Sequence, residues 1–173
     1  MKALLDKAEN SLAGLFKGAP KLSDSSKETL VKLWPWLALI GGVLQLLAAW
    51  WLYRWANAAD DLLDSANEFY RSIGASPILE ERLTVWVWVG LAVLLVQGVL
   101  LLMAYPKPKN RQRAGWDLLF LVGLINVVYA VVSLFIEGRG GFFSLIWNLL
   151  ISAVVFWLLF AIRDKYHGDK LVK

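Results

Sequence analysis

Four uninterrupted apolar runs constrain this chain more than any other feature of its sequence. They occupy residues 33–53, 84–105, 116–136 and 142–162, and only Asp117, at the mouth of the third, brings an Asp, Glu, Lys or Arg into any of them. A hydrocarbon layer roughly 30 Å thick needs about 20 residues of helix to cross it. Backbone polar groups in lipid must be satisfied internally, which leaves helices or closed barrels, and barrel strands alternate in polarity where these runs are continuous. The sequence therefore predicts an all-α membrane protein, a bundle of four transmembrane helices. Composition agrees: 58% of residues are hydrophobic and 18% charged, and the mean hydropathy of +0.55 leaves too little charge to cover a soluble domain of this size.

Charge placement predicts the orientation. The N-terminal segment carries Lys2, Lys7, Lys17, Lys21, Lys27 and Lys32, the second connection Lys107, Lys109, Arg111 and Arg113, and the C-terminal tail Arg163, Lys165, Lys170 and Lys173. With four spans these segments share one side and hold fourteen of the eighteen basic residues. The other side has Arg54, Arg71, Arg82 and Arg139 against Asp60, Asp61, Asp64, Glu68, Glu80, Glu81 and Glu137. An excess of Lys and Arg marks the cytoplasmic side, so both termini are expected there. Aromatic rings, which favour headgroup depth, form two groups. Trp34, Trp36, Tyr105, Trp116 and Tyr166 fall near the basic end, and Trp50, Trp51, Trp55, Trp86, Trp88, Phe142 and Phe143 near the opposite one.

Two further segments read as amphipathic. Residues 1–18 repeat Leu4, Leu5, Ala8, Leu12, Leu15 and Phe16 at helical spacing, with Lys2, Asp6, Lys7, Glu9 and Lys17 mainly on the other face. This predicts a helix lying in the membrane interface, or packed under the bundle. The outer segment 54–82 sets Trp55, Ala59, Leu62, Ala66, Phe69 and Ile73 against an acidic face, and either continues the first span or lies along the outer surface. Gly74 and Pro77 are expected to end it. Residues 19–32 form a linker in which Ser23 is a candidate helix cap, and residues 163–173 form a hydrophilic tail. Pro106 and Pro108 stop the second span, and Gly138, Gly140 and Gly141 permit a tight hairpin between the last two.

Inside the membrane the sequence offers one chemical pattern. Each span carries an amide near its middle, namely Gln45, Gln97, Asn126 and Asn148. They lie about 12, 8, 10 and 14 residues from the basic ends of their spans, a spread of roughly 9 Å at the helical rise. Small or polar residues share their faces: Ala38, Gly41 and Ala48, then Gly90, then Gly123, Ala130 and Ser133, then Ser144 and Ser152. Such faces turn toward other helices, where amides exchange hydrogen bonds. The layer reads either as a structural seam or as the lining of a path or ligand pocket. No intramembrane carboxylate is present to drive a transport cycle.

Other chemistry finds little support. Without cysteine there are no disulfides or thiolate metal sites. The single His167, in the tail, has no His or Cys companion for a metal and no nucleophile to serve, so neither a metal nor a cofactor is expected. Asp117 is assigned to the first turn of the third span, stabilised by the helix dipole, with Arg113 as a candidate partner. Glu137 and Arg139 read as a surface pair. The glycines around Arg139 lack the Lys-Ser/Thr of a phosphate loop. The basic run 107–113 has no interleaved aromatics, so lipid phosphates rather than nucleic acid are its expected partners.

The stretches Trp34-Pro35-Trp36-Leu37-Ala38-Leu39-Ile40-Gly41-Gly42, Gly115-Trp116-Asp117-Leu118-Leu119-Phe120 and Asn126-Val127-Val128-Tyr129 resemble those of small uncharacterised four-helix proteins of the bacterial inner membrane. The resemblance spans residues 30–165, implies that topology and location, and carries no activity. The functional expectation is a non-enzymatic scaffold, accessory subunit or sensor-like partner that packs against other membrane helices or copies of itself. The alternative is a small homo-oligomeric channel or transporter lined by Gln45, Gln97, Asn126 and Asn148. An intramembrane enzyme ranks behind both.

Overall fold

The computed structural model describes residues 2–76, 85–135 and 141–167. Pro77, Glu80, Glu81, Arg82, Glu137, Gly138, Arg139, Gly140, Lys170 and Lys173 lie outside the described residues. Regular structure within the described residues is helical: α1 Lys2–Leu15, α2 Asp24–Ser72, α3 Val85–Ala104, the single turn α4 Pro106–Lys109, α5 Arg113–Val132 and α6 Gly141–Ala161. Four of these helices are long and apolar enough to cross a membrane.

Helix α2 starts at Asp24, inside the segment assigned to the linker, because Ser23 caps it by accepting the Ser26 amide at 3.2 Å. It then runs through Pro35 for 49 residues, about 74 Å at the helical rise. The outer amphipathic segment is therefore a direct continuation of the first span. Gly74 ends it, in the left-handed region at φ +76°, where a residue without Cβ is at ease. The Gly74 and Ala75 amides close the end on the carbonyls of Arg71 and Tyr70.

In space α2 packs along α3, α3 against α5, and α5 against α6. The closest approach is at Gly42 of α2 and Gly98 of α3. A Cβ on Gly98 would stand 2.9 Å from Leu46 and 3.3 Å from the Gly42 carbonyl, so these two glycines set the helix spacing. The packed face of α2 is thus Ala38, Gly42 and Ala49, one residue on from the predicted Gly41 and Ala48. No comparable packing joins α6 back to α2 among the described residues. The four helices form a curved row with a gap between its two ends.

The main buried cluster lies toward the basic end. Val31, Trp34, Ala104, Trp116, Phe120, Phe156, Leu159, Ile162 and Tyr166 form one buried cluster there. Trp116 stacks on Phe120 at 5.1 Å and meets Phe160 edge-on, while its indole N–H donates to the Leu159 carbonyl at 2.8 Å. Trp34, Trp116 and Tyr166 are therefore core residues and do not face headgroups as the belt assignment had them. At the opposite end Trp50, Trp51, Trp55, Trp88, Phe142 and Phe143 are exposed, as an aromatic belt requires.

Candidate functional site

The helix row brings two of the four predicted amides together. Gln45 of α2 donates through Nε2 to Oε1 of Gln97 on α3 at 3.0 Å. A pair of primary amides sharing one hydrogen bond leaves one carbonyl oxygen and one amino group over. Here these are Gln45 Oε1 and Gln97 Nε2, both buried and without a hydrogen-bond partner. Gln97 is only 3% exposed. The other two amides behave differently. Asn148 folds back onto its own helix, donating to the Ser144 carbonyl at 2.8 Å and lying 3.4 Å from the Ser144 hydroxyl. Asn126, on α5, joins no amide pair and faces cavities on both sides of the glutamines.

These cavities are enclosed by α2, α3, α5 and α6. One, of about 300 Å³, lies toward the basic end, where Ser152, Gly123 and Asn126 interrupt walls of Leu101, Leu119 and Leu159. The other, of about 450 Å³, lies toward the acidic end and adds Gly90, Ser133, Ser144 and Asn148. Gln45, Gln97 and Asn126 line both, so the amide pair is their common wall. Ser133 is occupied with the Ala130 carbonyl at 2.8 Å. Ser152, 5% exposed, has a hydroxyl with no partner. Among the described residues no acidic or basic side chain lines either space. The mouth lies between α2 and α6, whose Leu37 and Ile151 line the first cavity while remaining about half exposed. Toward the basic end Trp34 and Leu159 close it with the aromatic cluster behind them.

Arg113 and Asp117 belong to a different place. Helix α5 begins at Arg113, which puts Asp117 in the second turn, beyond reach of the orphan amides that make a dipole site. Its stabilising partner is Arg113, whose Nε donates to Oδ1 at 3.1 Å in a buried setting. The same guanidinium donates to Glu9 at 2.5 Å and lies 4.0 Å over the Trp116 ring. Arg163 also pairs with Glu9. Glu9, 4% exposed, is thus among the most buried residues of α1, which corrects its assignment to the solvent side. Leu12 and Phe16 pack beside it against the core, while Leu4 and Leu15 stay exposed. Helix α1 thus meets the bundle through both ion pairs and apolar contacts.

Arg111 of the basic run is engaged as well. Arg111, in the left-handed region at φ +54°, donates to both carboxylate oxygens of Glu28, at 3.3 and 2.6 Å. Its backbone carbonyl accepts from the His167 amide at 2.9 Å, and the His167 carbonyl accepts from Arg113 at 2.9 Å. The Arg111 guanidinium holds the Glu28 carboxyl below the usual carboxylate range. Arg111 and Arg113 are therefore both ion-paired within the chain. Burial pushes the Tyr166 hydroxyl up to about 12.

Sequence reasoning missed Glu9, Arg163 and the Gly42–Gly98 contact. The two charges flank apolar stripes and reveal their pairing only in three dimensions, whereas Gly98 beside Gln97 was a visible signal. Among the described residues no group of three acidic, His or Cys side chains could hold a metal. Comparison with protein families, curated proteins and solved structures gives no match for this chain.

Proposed function

We propose that this chain is a non-enzymatic, sensor-like protein of a bacterial inner membrane, with both termini cytoplasmic, that binds a neutral amphiphile between its four helices. One observation carries the reading: the buried Gln45–Gln97 pair makes a single hydrogen bond and leaves one acceptor and one donor unpartnered in a cavity. An unpaired buried polar group costs about 1–3 kcal/mol in protein interiors. A molecule presenting a hydroxyl next to a carbonyl or ether oxygen, or an amide, relieves both groups at once. Neutrality follows from a lining free of charged side chains among the described residues, and amphiphilic character from the leucine walls and a mouth that faces lipid.

The channel reading meets a specific obstacle. A path needs continuity to both faces, and the buried cluster of Trp34, Trp116, Phe120 and Leu159 plugs the basic end.

 The same cluster gives a cavity that opens toward lipid a floor. The test uses the full chain in detergent or nanodiscs with a neutral diazirine-bearing acylglycerol as photoprobe. Crosslinks are expected on peptides containing residues 90–101 and 119–130, and they should fall at least tenfold in Gln97→Leu. Uniform labelling along the lipid-facing surface, unchanged in the variant, would sink the binding reading. Conductance that disappears in Asn126→Leu would move the assignment to the channel. The cysteine-free background allows a further check, because a single cysteine at Gly123 should resist a membrane-impermeant thiol reagent if the basic end is sealed.

A further inference from the structure

A third cavity, of about 650 Å³, lies at the basic end, apart from the amide layer. It is bounded by the end of α1, the connection into α2 and the last turn of α6. Its floor is apolar, made by Phe16, Trp157 and Phe160, with Phe16 and Phe160 in ring contact at 5.7 Å. The Trp157 indole N–H donates to the Pro20 carbonyl at 3.2 Å, which fixes the connection over that floor.

Five cations line the same space: Lys17, Lys21, Lys27, Arg113 and Arg163. Three carboxylates answer them. Asp164 pairs with Lys27 at 3.0 Å, Asp117 with Arg113, and Glu9 with both arginines. Two positive charges are left over. Lys17 and Lys21 are exposed and make no ion pair among the described residues, and the Arg163 side chain is 39% exposed despite its bond to Glu9. A cavity with surplus cations at its mouth and aromatic rings at its floor matches an amphiphilic anion. Its place at the end of α6, where an apolar span gives way to charged residues, is headgroup depth.

We propose that this cavity is a phosphate site for an anionic phospholipid, with the phosphate held by Lys17, Lys21 and Arg163 and the first acyl carbons lying on Trp157 and Phe160. The site is distinct from diffuse attraction of a basic surface to a charged membrane, because it depends on particular lysines. Lys107 and Lys109, at the same end but outside the cavity, supply the control.

The full chain, purified in a neutral detergent, is titrated with phosphatidylglycerol, phosphatidylcholine, glycerol phosphate and inorganic phosphate, and bound molecules are counted by native mass spectrometry. Phosphatidylglycerol should bind preferentially, and Lys17→Ala/Lys21→Ala should weaken it by about tenfold or more, from the usual contribution of a lysine near an anionic headgroup. Lys107→Ala/Lys109→Ala should stay within about twofold of the parent. Equal losses in the two double variants would overturn the site in favour of diffuse charge. Glycerol phosphate or inorganic phosphate binding as tightly as the lipid would overturn the lipid assignment and leave a soluble-anion site. Because the two lysines are exposed and unpaired, both variants should fold, and an unchanged circular dichroism spectrum checks it.

Discussion

The basic end and the middle of this molecule treat buried polarity in opposite ways. At the basic end Arg113, Asp117 and Glu9 are each about nine-tenths buried or more, and every one has an oppositely charged partner. In the middle, Gln45 and Gln97 share one hydrogen bond and leave two groups unused. The difference follows from the cost of each kind of solitude. An unpaired buried charge is far more expensive than an unpaired buried amide, so the charged end has to be complete and the amide layer can stay open. The same contrast separates a rigid clasp, packed on an aromatic core, from a region of cavities able to take up something else.

The largest effect should come from breaking the clasp. Glu9→Ala leaves the buried Arg113 without one of its two carboxylates and removes the carboxylate that Arg163 pairs with. Removing one member of a buried ion pair costs roughly 3–5 kcal/mol. The expected outcome is release of α1, read as rapid proteolysis after Lys7 or Lys17 and a lower thermal midpoint, with Glu9→Gln intermediate because it keeps an acceptor. If α1 remains protected in Glu9→Ala, apolar contacts from Leu12 and Phe16 hold it alone and the clasp is incidental.

What the sequence made legible is what local chemistry determines. The spans, the cap at Ser23 and the stop at Gly74 follow from apolar length, a hydroxyl at the right offset and a residue without Cβ, none of which needs a partner. The outer segment was left as either a continuation of α2 or a surface helix, since its periodicity is the same in both. Register is where reading by pattern slips. The α2 contact uses Gly42 in place of Gly41, a rotation of about 100°, and only the opposing Gly98 decides between them. Burial was equally hidden for Trp116, which sits at the depth an interfacial ring would occupy yet is fully enclosed. The amides were visible as a set, but their pairing was not. Depth estimates spread over roughly 9 Å could not say that Gln45 would meet Gln97 while Asn148 turned back to Ser144. Glu9 lay beyond reach, since nothing within α1 distinguishes a carboxylate facing water from one facing two arginines.

A smaller effect separates seam from pocket in the middle. Gln45→Leu/Gln97→Leu removes one hydrogen bond and two unpartnered groups together. Amide contacts between membrane helices are worth on the order of 1 kcal/mol or less, so the thermal midpoint should move little, in either direction, while photoprobe labelling is lost. A loss of stability comparable to that of Glu9→Ala would show that the layer is the seam on which the bundle depends, and the comparison between the two regions would collapse.

The smallest effect lies at the rim of the clasp, where Arg111 holds Glu28 in partial exposure to water. The Glu28 carboxyl titrates below its ordinary value of 4.5, chiefly because of its hydrogen bonds from Arg111. The folded form therefore binds the proton less readily than the unfolded chain does. Any stability this contributes is fully present above the unfolded value and is lost as pH falls through the folded one. Comparing the parent with Arg111→Gln cancels the titration of carboxylates common to both. The parent should have the higher thermal midpoint at pH 7, and the difference should narrow below pH 4.5. Because the pair is exposed, added salt should narrow it too. By contrast, the effect of Glu9→Ala should resist salt, since Glu9 and its partner Arg113 are shielded from counterions by the core around them. Equal salt sensitivity in both variants would mean that the basic end is wetter than its packing implies, and that its completeness is not imposed by burial.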